Sequence, residues 1–164
     1  MWMRKVQWSP YRYMVISDFY VIQMTGGSIM IKNRGDMSVL KRHTGHKYLY
    51  TGDIHPDESV CIALEYGKHF YVYSLRDYEL IKRVTLPRGF ESVDQDARYT
   101  EDGRFLLVRA HRWVAIRGWD EGYYEYVVFH YETNGYTVLD RTLVVCPSEF
   151  RWEQFLMTFG KEAT

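Results

Sequence analysis

A chain of 164 residues is long enough for one domain with a substantial core, and its 46% hydrophobic fraction excludes an intrinsically disordered protein. The formal net charge is zero, which excludes the overall basic character of a typical nucleic-acid-binding domain. Residues 1–50 nevertheless carry eight basic and two acidic side chains, whereas the remainder carries thirteen and nineteen. Aromatic residues make up 17% of the chain, with fifteen tyrosines, and this composition favours β-strands.

Two cysteines, Cys61 and Cys146, each lie in an apolar run typical of a buried strand. The N-terminal residues lack the apolar core of a secretory leader, and no run approaches the length of a membrane span. We therefore expect a cytoplasmic protein with two buried, reduced thiols and no membrane contact. A disulfide between the two cysteines is the alternative.

An internal repeat organises the chain. The segment DIHPDESVCIAL (53–64) matches ARYTEDGRFLLV (97–108) at an offset of 44 residues, because polar turn aligns with polar turn and apolar run with apolar run. A rougher, earlier copy is QWSPYRYMVIS (7–17), in which Pro10 takes the place of Pro56. The matching segments indicate a repeated strand–turn–strand motif.

The second half of the unit is repeated as well. The segment SIMIKNRGDMSVLKR (28–42) matches HFYVYSLRDYELIKR (69–83), and YVVFHYETNGYTVLD (126–140) is a third copy. Each copy contains two strands around a tight turn, and Asn134-Gly135 between apolar runs is a strong hairpin signal. Four antiparallel strands that recur about every 41–46 residues correspond to one blade of a β-propeller.

We predict an all-β protein whose antiparallel four-stranded blades form a small or incomplete β-propeller, with a short C-terminal α-helix. The propeller-like domain covers residues 1–146, in units of roughly 7–45, 46–90 and 91–146, and residues 147–164 form the helical tail. An antiparallel sandwich is the alternative, although it does not predict the repeat. Because propellers close with four to eight blades, three units leave open edges for the tail, a second chain or a larger assembly to cover.

The pattern resembles the blades of WD-repeat and related propellers over most of residues 7–145. Gly45-His46 matches the Gly-His near the start of such a blade, and Pro56-Asp57 matches its turn. The Trp-Asp position holds Tyr73-Ser74 in one copy and His130-Tyr131 in another. The resemblance implies a propeller-like fold and a structural hydrogen-bond network around His46.

An insertion of about thirteen residues interrupts the third unit, within RAHRWVAIRGWDEGYYEY (109–126). Insertions in repeat folds project from one face and often carry the binding function. This segment is rich in Trp, Tyr and Arg, the residue types that dominate interface hot spots. We predict that the binding residues are Arg112, Trp113, Arg117, Trp119, Tyr123 and Tyr124. The alternative is a lengthened hairpin that turns at Asp120-Glu121-Gly122.

The C-terminal segment PSEFRWEQFLMTFG (147–160) loses the strand pattern and has helical periodicity instead. Ser148 can cap the N-terminus of this helix, and Gly160 can end it. One apolar stripe is formed by Trp152, Phe155, Leu156 and Phe159. We expect this stripe to cover a sheet edge or face, with docking on a partner as the alternative.

Motifs for chemistry are lacking. The sequence contains no zinc-ligand spacing, no nucleophile elbow and no phosphate-binding loop, so we expect neither a metal nor a cofactor. Asp94 and Asp96 form a pair of the kind that can act in acid–base chemistry or bind a cation, but we expect the pair to be a solvated strand entry. Basic residues interleave with aromatics near the N-terminus, but no nucleic-acid-binding module is present.

The function predicted from these observations is a non-enzymatic protein–protein interaction module that binds another protein or its own copy through the insertion. We expect it to self-associate as a homo-oligomer, because three units leave open edges. The first alternative is a small-ligand-binding protein, for example one that stacks a sugar on Trp or Tyr. The second alternative is an enzyme with an unrecognised His/Asp site, in which His55 and Asp96 are the residues to test.

Overall fold

The computed structural model describes the backbone of residues 3–114, 123–132 and 135–144, and the side chains of residues 3–49, 51–92 and 97–112. Within these ranges the chain forms thirteen β-strands and no helix, so no described segment can cross a membrane as a helix. The strands are β1 (Arg4–Ser9), β2 (Arg12–Ile16), β3 (Tyr20–Thr25), β4 (Ser28–Asn33), β5 (Val39–His43), β6 (Leu49–Ile54), β7 (Val60–Glu65), β8 (His69–Ser74), β9 (Leu80–Thr85), β10 (Glu91–Tyr99), β11 (Leu106–Val114), β12 (Tyr123–Glu132) and β13 (Gly135–Val144).

The strands form three meander sheets, in which each strand pairs antiparallel with the next strand of the chain. Sheet 1 contains β1–β5, sheet 2 contains β6–β9 and sheet 3 contains β10–β13. The antiparallel all-β fold is therefore confirmed, and sheets 2 and 3 have the four strands expected of one repeat unit. The predicted helical tail, 147–164, lies outside the described residues, as does Cys146.

Sheet 1 departs from the repeat because it has a fifth strand, β1. The backbone N–H of Phe19, between β2 and β3, donates to Glu58 Oε1 in the β6–β7 turn at 3.2 Å, so these two connections are neighbours at one end of the sheets. The counterpart of the Pro56 turn is thus the β2–β3 connection, and the alignment of Pro10 with Pro56 is wrong. Any strand–turn–strand segment fits that pattern, and only the pairing of the strands shows which turn is equivalent.

Sheet 2 is buried on both faces, between sheets 1 and 3. Successive residues of a strand point to opposite faces. Cys61 and Ala63 of β7 accordingly pack in the core shared with sheet 1, whereas Ile62 and Leu64 pack in the core shared with sheet 3. This two-sided burial explains why β7 is an unbroken apolar run in the sequence. The predicted burial of Cys61 is confirmed, and burial raises the pKa of its thiol to about 12.

The side chain of Lys5, on β1, connects all three sheets. Its Nζ lies 3.6 Å from Asp53 Oδ1 on β6 and donates to the carbonyl of Ala97 on β10 at 3.2 Å. Asp53 also accepts the backbone N–H of Tyr99 at 2.7 Å. Burial raises the pKa of Asp53, and the charge of Lys5 is the largest effect that opposes this rise. The extra strand therefore supplies the cation beside a carboxylate at the junction of the sheets.

One turn type recurs at four connections. An Asp carboxylate accepts the backbone N–H two residues later, and the residue between them has a positive φ of 57–71°. The turns are Asp36-Met37-Ser38, Asp57-Glu58-Ser59, Asp77-Tyr78-Glu79 and Asp102-Gly103-Arg104. Asp side chains suit such turns because they bond locally to the backbone. Pro56-Asp57 therefore forms part of a turn, as its match with residues 97–108 indicates.

We expect Gly103→Ala to lower the free energy of unfolding by about 1–2 kcal/mol, the cost of placing a side chain in the left-handed region, with a further loss from steric conflict. Gly103 has φ 71°, and a Cβ there would lie 2.6 Å from the ring of His55, whose Nε2 bonds to the carbonyl of Gly103 at 2.8 Å. Urea denaturation measures the change. The matched control is Gly45→Ala, because Gly45 has φ 86° with open space around it. Equal losses in the two variants would contradict the contact with His55.

Candidate functional site

The connections between strands lie alternately at two ends of the sheets. The turn end consists of connections 17–19, 34–38, 55–59, 75–79 and 100–105, and the loop end of connections 10–11, 26–27, 44–48, 66–68 and 86–90. Contacts within each end support this division. His55 bonds to Gly103 at the turn end, whereas the backbone N–H of Tyr66 donates to the carbonyl of Tyr48 at 2.6 Å at the loop end. Each end is thus a continuous surface built from several sheets.

The loop end exposes a group of large aromatic side chains. Tyr48 is 58% exposed, Tyr66 is 49% exposed, and Trp8, just before the 10–11 connection, is 44% exposed. The ring of Tyr11 stacks on that of Tyr48 with 4.7 Å between centroids. Aromatic side chains combine large apolar area with polar handles and dominate binding surfaces. We call this group, Trp8, Tyr11, Tyr48 and Tyr66, the aromatic cluster.

A buried hydrogen-bond network holds the 44–48 loop that carries Tyr48. His46 Nε2 lies 2.5 Å from the hydroxyl of Tyr73, and its Nδ1 lies 3.4 Å from Glu65 Oε2. The backbone N–H of Lys47 donates to the same carboxylate oxygen at 3.0 Å. The side chains of His46 and Glu65 are only 5% and 4% exposed. The loop is therefore anchored in the protein interior through both ring nitrogens of His46 and through the backbone N–H of Lys47.

The bonds of His46 determine its tautomer. The Glu65 carboxylate can only accept a hydrogen bond, so the ring nitrogen that faces it carries the proton and Nε2 accepts from the Tyr73 hydroxyl. The proton of the neutral imidazole is then on Nδ1, facing Glu65. His46 therefore takes part in a buried hydrogen-bond network, as expected, and its side-chain partners are Tyr73 and Glu65. This network positions the loop and has no free ring nitrogen for chemistry.

We expect the stability of the protein to decrease as the pH falls from 7.5 towards 5.5. Burial lowers the pKa of His46 below 6.5, and Glu65 opposes this shift without cancelling it. The unfolded chain therefore binds a proton near pH 6.5 that the folded chain does not bind, and the free energy of unfolding falls by at most about 1.4 kcal/mol per pH unit from this group. Urea denaturation at several pH values measures the slope.

The control for this pH effect is His46→Gln, compared by its slope and not by its absolute stability. The other side chains that face the ring, Glu65, Tyr71, Tyr73 and His43, are unchanged in this variant. We expect a flatter dependence between pH 7.5 and 5.5 for the variant. Identical slopes in the two proteins would show that His46 does not carry the effect.

The predicted insertion is only partly described. Strands β11 and β12 pair without a shift from Leu106↔Tyr131 to Val114↔Tyr123, and this register supports the lengthened-hairpin alternative. Arg112 places its guanidinium 5.0 Å from the centre of the Phe90 ring, so it packs within sheet 3. Trp113 and Tyr124 are backbone partners. The side chains of Trp113, Tyr123 and Tyr124 lie outside the described part, as do Arg117, Trp119, the proposed turn at 120–122 and the tail residues Trp152, Phe155, Leu156 and Phe159.

Sequence reasoning missed the aromatic cluster. The signal was present, since Tyr11, Tyr48 and Tyr66 all lie in connections that follow odd-numbered strands. Such connections meet at one end only when the sheets pack side by side, and this packing is a tertiary property. The insertion connects β11 and β12, and β11 is odd-numbered, so both ends of the insertion are anchored at the loop end.

His55 does not present a free base at the turn end. Its Nδ1 lies 2.7 Å from Asp57 Oδ1 and its Nε2 bonds to the carbonyl of Gly103. Nδ1 therefore serves the 55–59 turn itself, and Nε2 serves the contact with the 100–105 turn. The side chain of Asp96 is outside the described part. No group of three His, Cys, Asp or Glu side chains that could hold a metal occurs among the described residues.

The three meander sheets, packed through their faces, define a β-propeller-like protein. The chain is similar to Kuenenia stuttgartiensis hydrazine synthase, with a TM-score of 0.56 and 10% identity over 78% of this chain and 47% of that chain. It is also similar to the tricorn protease, with a TM-score of 0.55 and 10% identity over 78% of this chain and 14% of that chain. Both contain propeller domains.

These similarities concern the fold alone. This chain spans about half of the hydrazine synthase chain and about one seventh of the tricorn protease chain. No protein-family model matches the sequence, and no curated protein matches it significantly.

Proposed function

We propose that this protein is a non-enzymatic interaction module that binds another protein through the loop end of an incomplete β-propeller. The observation that carries the proposal is the exposure of Tyr48 and Tyr66, at 58% and 49%. Tyr48 lies on the loop anchored by the buried His46 network, and the backbone N–H of Tyr66, in the next loop, donates to the carbonyl of Tyr48. A rigid platform of exposed aromatics loses little conformational entropy when it binds. This surface therefore suits recognition better than the polar turns at the opposite end.

The insertion extends the same surface in our proposal. Its flanking strands reach the loop end through the pair Val114↔Tyr123. In this proposal the candidate binding residues Arg112, Trp113, Arg117, Trp119, Tyr123 and Tyr124 contribute to the same binding surface as the aromatic cluster. The contact between Arg112 and Phe90, a residue of the 86–90 connection, supports the placement of Arg112 at this surface.

The three sheets are, in this proposal, degenerate WD-like blades whose open faces are covered by the tail or by a second chain. Leu107 lies on the face of β11 opposite to the core residues Leu106 and Val108, and it is nevertheless only 1% exposed. This burial supports a cover over that face of sheet 3. The tail 147–164 is our candidate for that cover. A cytoplasmic location is consistent with the buried thiol of Cys61.

Affinity capture tests the binding surface. Tagged wild-type protein is incubated with an extract of its source cells, and retained proteins are identified by mass spectrometry. We expect Tyr48→Ser with Tyr66→Ser to lose the specific partner, and Trp113→Ala with Trp119→Ala to weaken it. The matched control is Leu80→Ser with Ile81→Ser, which changes two exposed residues of β9 that are 47% and 54% exposed. Retention of every partner by the tyrosine variant would overturn the proposal.

A small-ligand site is the second candidate, because the exposed ring of Tyr48 offers a flat stacking surface for a sugar. Titration with a panel of oligosaccharides distinguishes the two. Saturable quenching of protein fluorescence, lost in Tyr48→Ser, supports the ligand-binding alternative.

A further inference from the structure

The two ends of the sheets carry opposite charge. The five connections of the turn end contain eight acidic and three basic side chains, so their net charge is 3 − 8 = −5. The five described connections of the loop end contain three basic side chains, Lys47, Lys68 and Arg88, and no acidic one, a net charge of +3. The insertion 115–122 adds one basic and two acidic side chains, which leaves +2. The charge difference between the two ends therefore arises from the connections, and not from the excess of basic residues in residues 1–50.

Both ends also expose apolar side chains within these charges. Phe19 is 68% exposed and Met37 is 47% exposed at the turn end, opposite in the molecule to the aromatic cluster. Met37 has φ 60°, a strained value for a residue other than glycine. The backbone N–H of Ser38 donates to the Asp36 carboxylate and holds this turn, which leaves the Met37 side chain exposed. Each end therefore combines exposed apolar side chains with a net charge, and the net charges of the two ends are opposite in sign.

We propose that the turn end of one copy binds the loop end of a second copy, so that the protein associates head to tail. This inference rests on the loop end being the binding surface proposed above. Phe19 and Met37 would meet the aromatic cluster, while the acidic turns face Lys47 and Lys68. A head-to-tail contact leaves one free end of each kind, so association continues beyond two copies unless it closes into a ring.

Sedimentation measures this association directly. At 50 mM salt we expect the weight-average mass to rise with protein concentration beyond that of two copies. At 1 M salt we expect the dissociation constant to rise at least about tenfold, because the Debye length shortens from about 10 Å at 0.1 M to about 3 Å. A single-copy mass at all concentrations overturns the inference. A dimer that is insensitive to salt also overturns it and indicates closure through the sheet faces.

Charge exchange provides the decisive test. The loop-end variant is Lys47→Glu with Lys68→Glu, and the turn-end variant is Asp18→Lys with Glu101→Lys; these side chains make no hydrogen bond or ion pair with the described residues. The loop-end variant has a net charge of −2 at its loop end and −5 at its turn end, so we expect it to remain monomeric. The turn-end variant retains only −1 at its turn end against +2 at its loop end, so we expect it to associate more weakly than the wild type. An equimolar mixture should form a pair, because the unchanged turn end of the loop-end variant, at −5, meets the unchanged loop end of the turn-end variant, at +2. The two altered ends are both acidic, so the association stops at two copies. Absence of association in the mixture contradicts the head-to-tail contact.

Two controls complete the experiment. Arg4→Glu with Arg42→Glu makes the same change of charge at exposed strand positions, and we expect it to associate like the wild type. Fluorescent oligothymidine of twenty nucleotides tests the competing use of a basic aromatic surface, which is single-stranded nucleic acid. Tight binding of oligothymidine without self-association overturns the inference. Loss of self-association with retained, tyrosine-dependent capture of another protein overturns only the inference and leaves the proposed function standing.

Discussion

Phe70→Ala is expected to lower the free energy of unfolding by about 3–5 kcal/mol, the usual cost of removing a buried phenylalanine side chain. Phe70 is 1% exposed and lies on β8, in the core that sheet 2 shares with sheet 3. Its ring packs among Leu64, Val108 and other members of that core, so its loss opens a cavity between two sheets. Urea denaturation followed by tryptophan fluorescence measures the change.

The matched control for Phe70 is Ile81→Ala, on the neighbouring strand β9. Ile81 is 54% exposed, so we expect its truncation to change stability by no more than about 0.5 kcal/mol. Both variants remove apolar atoms from adjacent strands, and only one removes them from the core. A similar, small loss in both would mean that sheets 2 and 3 do not share this core.

Gly27→Ala is expected to lower the free energy of unfolding by about 1–3 kcal/mol, the typical cost of overpacking, and to displace the 44–48 loop. A Cβ at Gly27 would collide with the backbone carbonyl oxygen of His46 and lie 3.5 Å from that of Lys47. The carbonyl of Gly27 also accepts the backbone N–H of His46 at 3.1 Å. A flexible side chain could rotate away from such a contact, but a backbone carbonyl group cannot. The 44–48 loop, which carries Tyr48, must therefore move.

Gly26→Ala separates this collision from simple backbone strain. Gly26 has φ 58° with no atom within 4 Å of its added Cβ, so alanine there carries only the left-handed penalty of about 1 kcal/mol. Histidine NMR titration adds a second measurement. We expect the resonances of His46 to shift and its pKa to move towards the ordinary value in Gly27→Ala, and to stay unchanged in Gly26→Ala. The reverse order of effects is incompatible with the close contact.

Much of the local architecture could be predicted from the sequence. The turns at Asp57 and Asp102 and the burial of Cys61 follow from local residue patterns, because a polar turn and an apolar run determine where a strand begins and which side chains avoid water. The role of His46 came through the resemblance to propeller blades, and His46 does take part in a buried hydrogen-bond network, with Tyr73 and Glu65 as its side-chain partners. The binding role of the insertion and the covering role of the tail stay predictions.

Other features depended on how the sheets pack. The sequence by itself determined strand-forming segments grouped by a 44-residue repeat, because pairing with the next strand along the chain requires only alternation and turns. The tertiary structure decided that β1 joins sheet 1 as a fifth strand, with Lys5 reaching Asp53. It also decided that acidic turns gather at one end while Tyr48 and Tyr66 gather at the other. The physical reason is that residues far apart in the chain become neighbours only when whole sheets bury their apolar faces against one another.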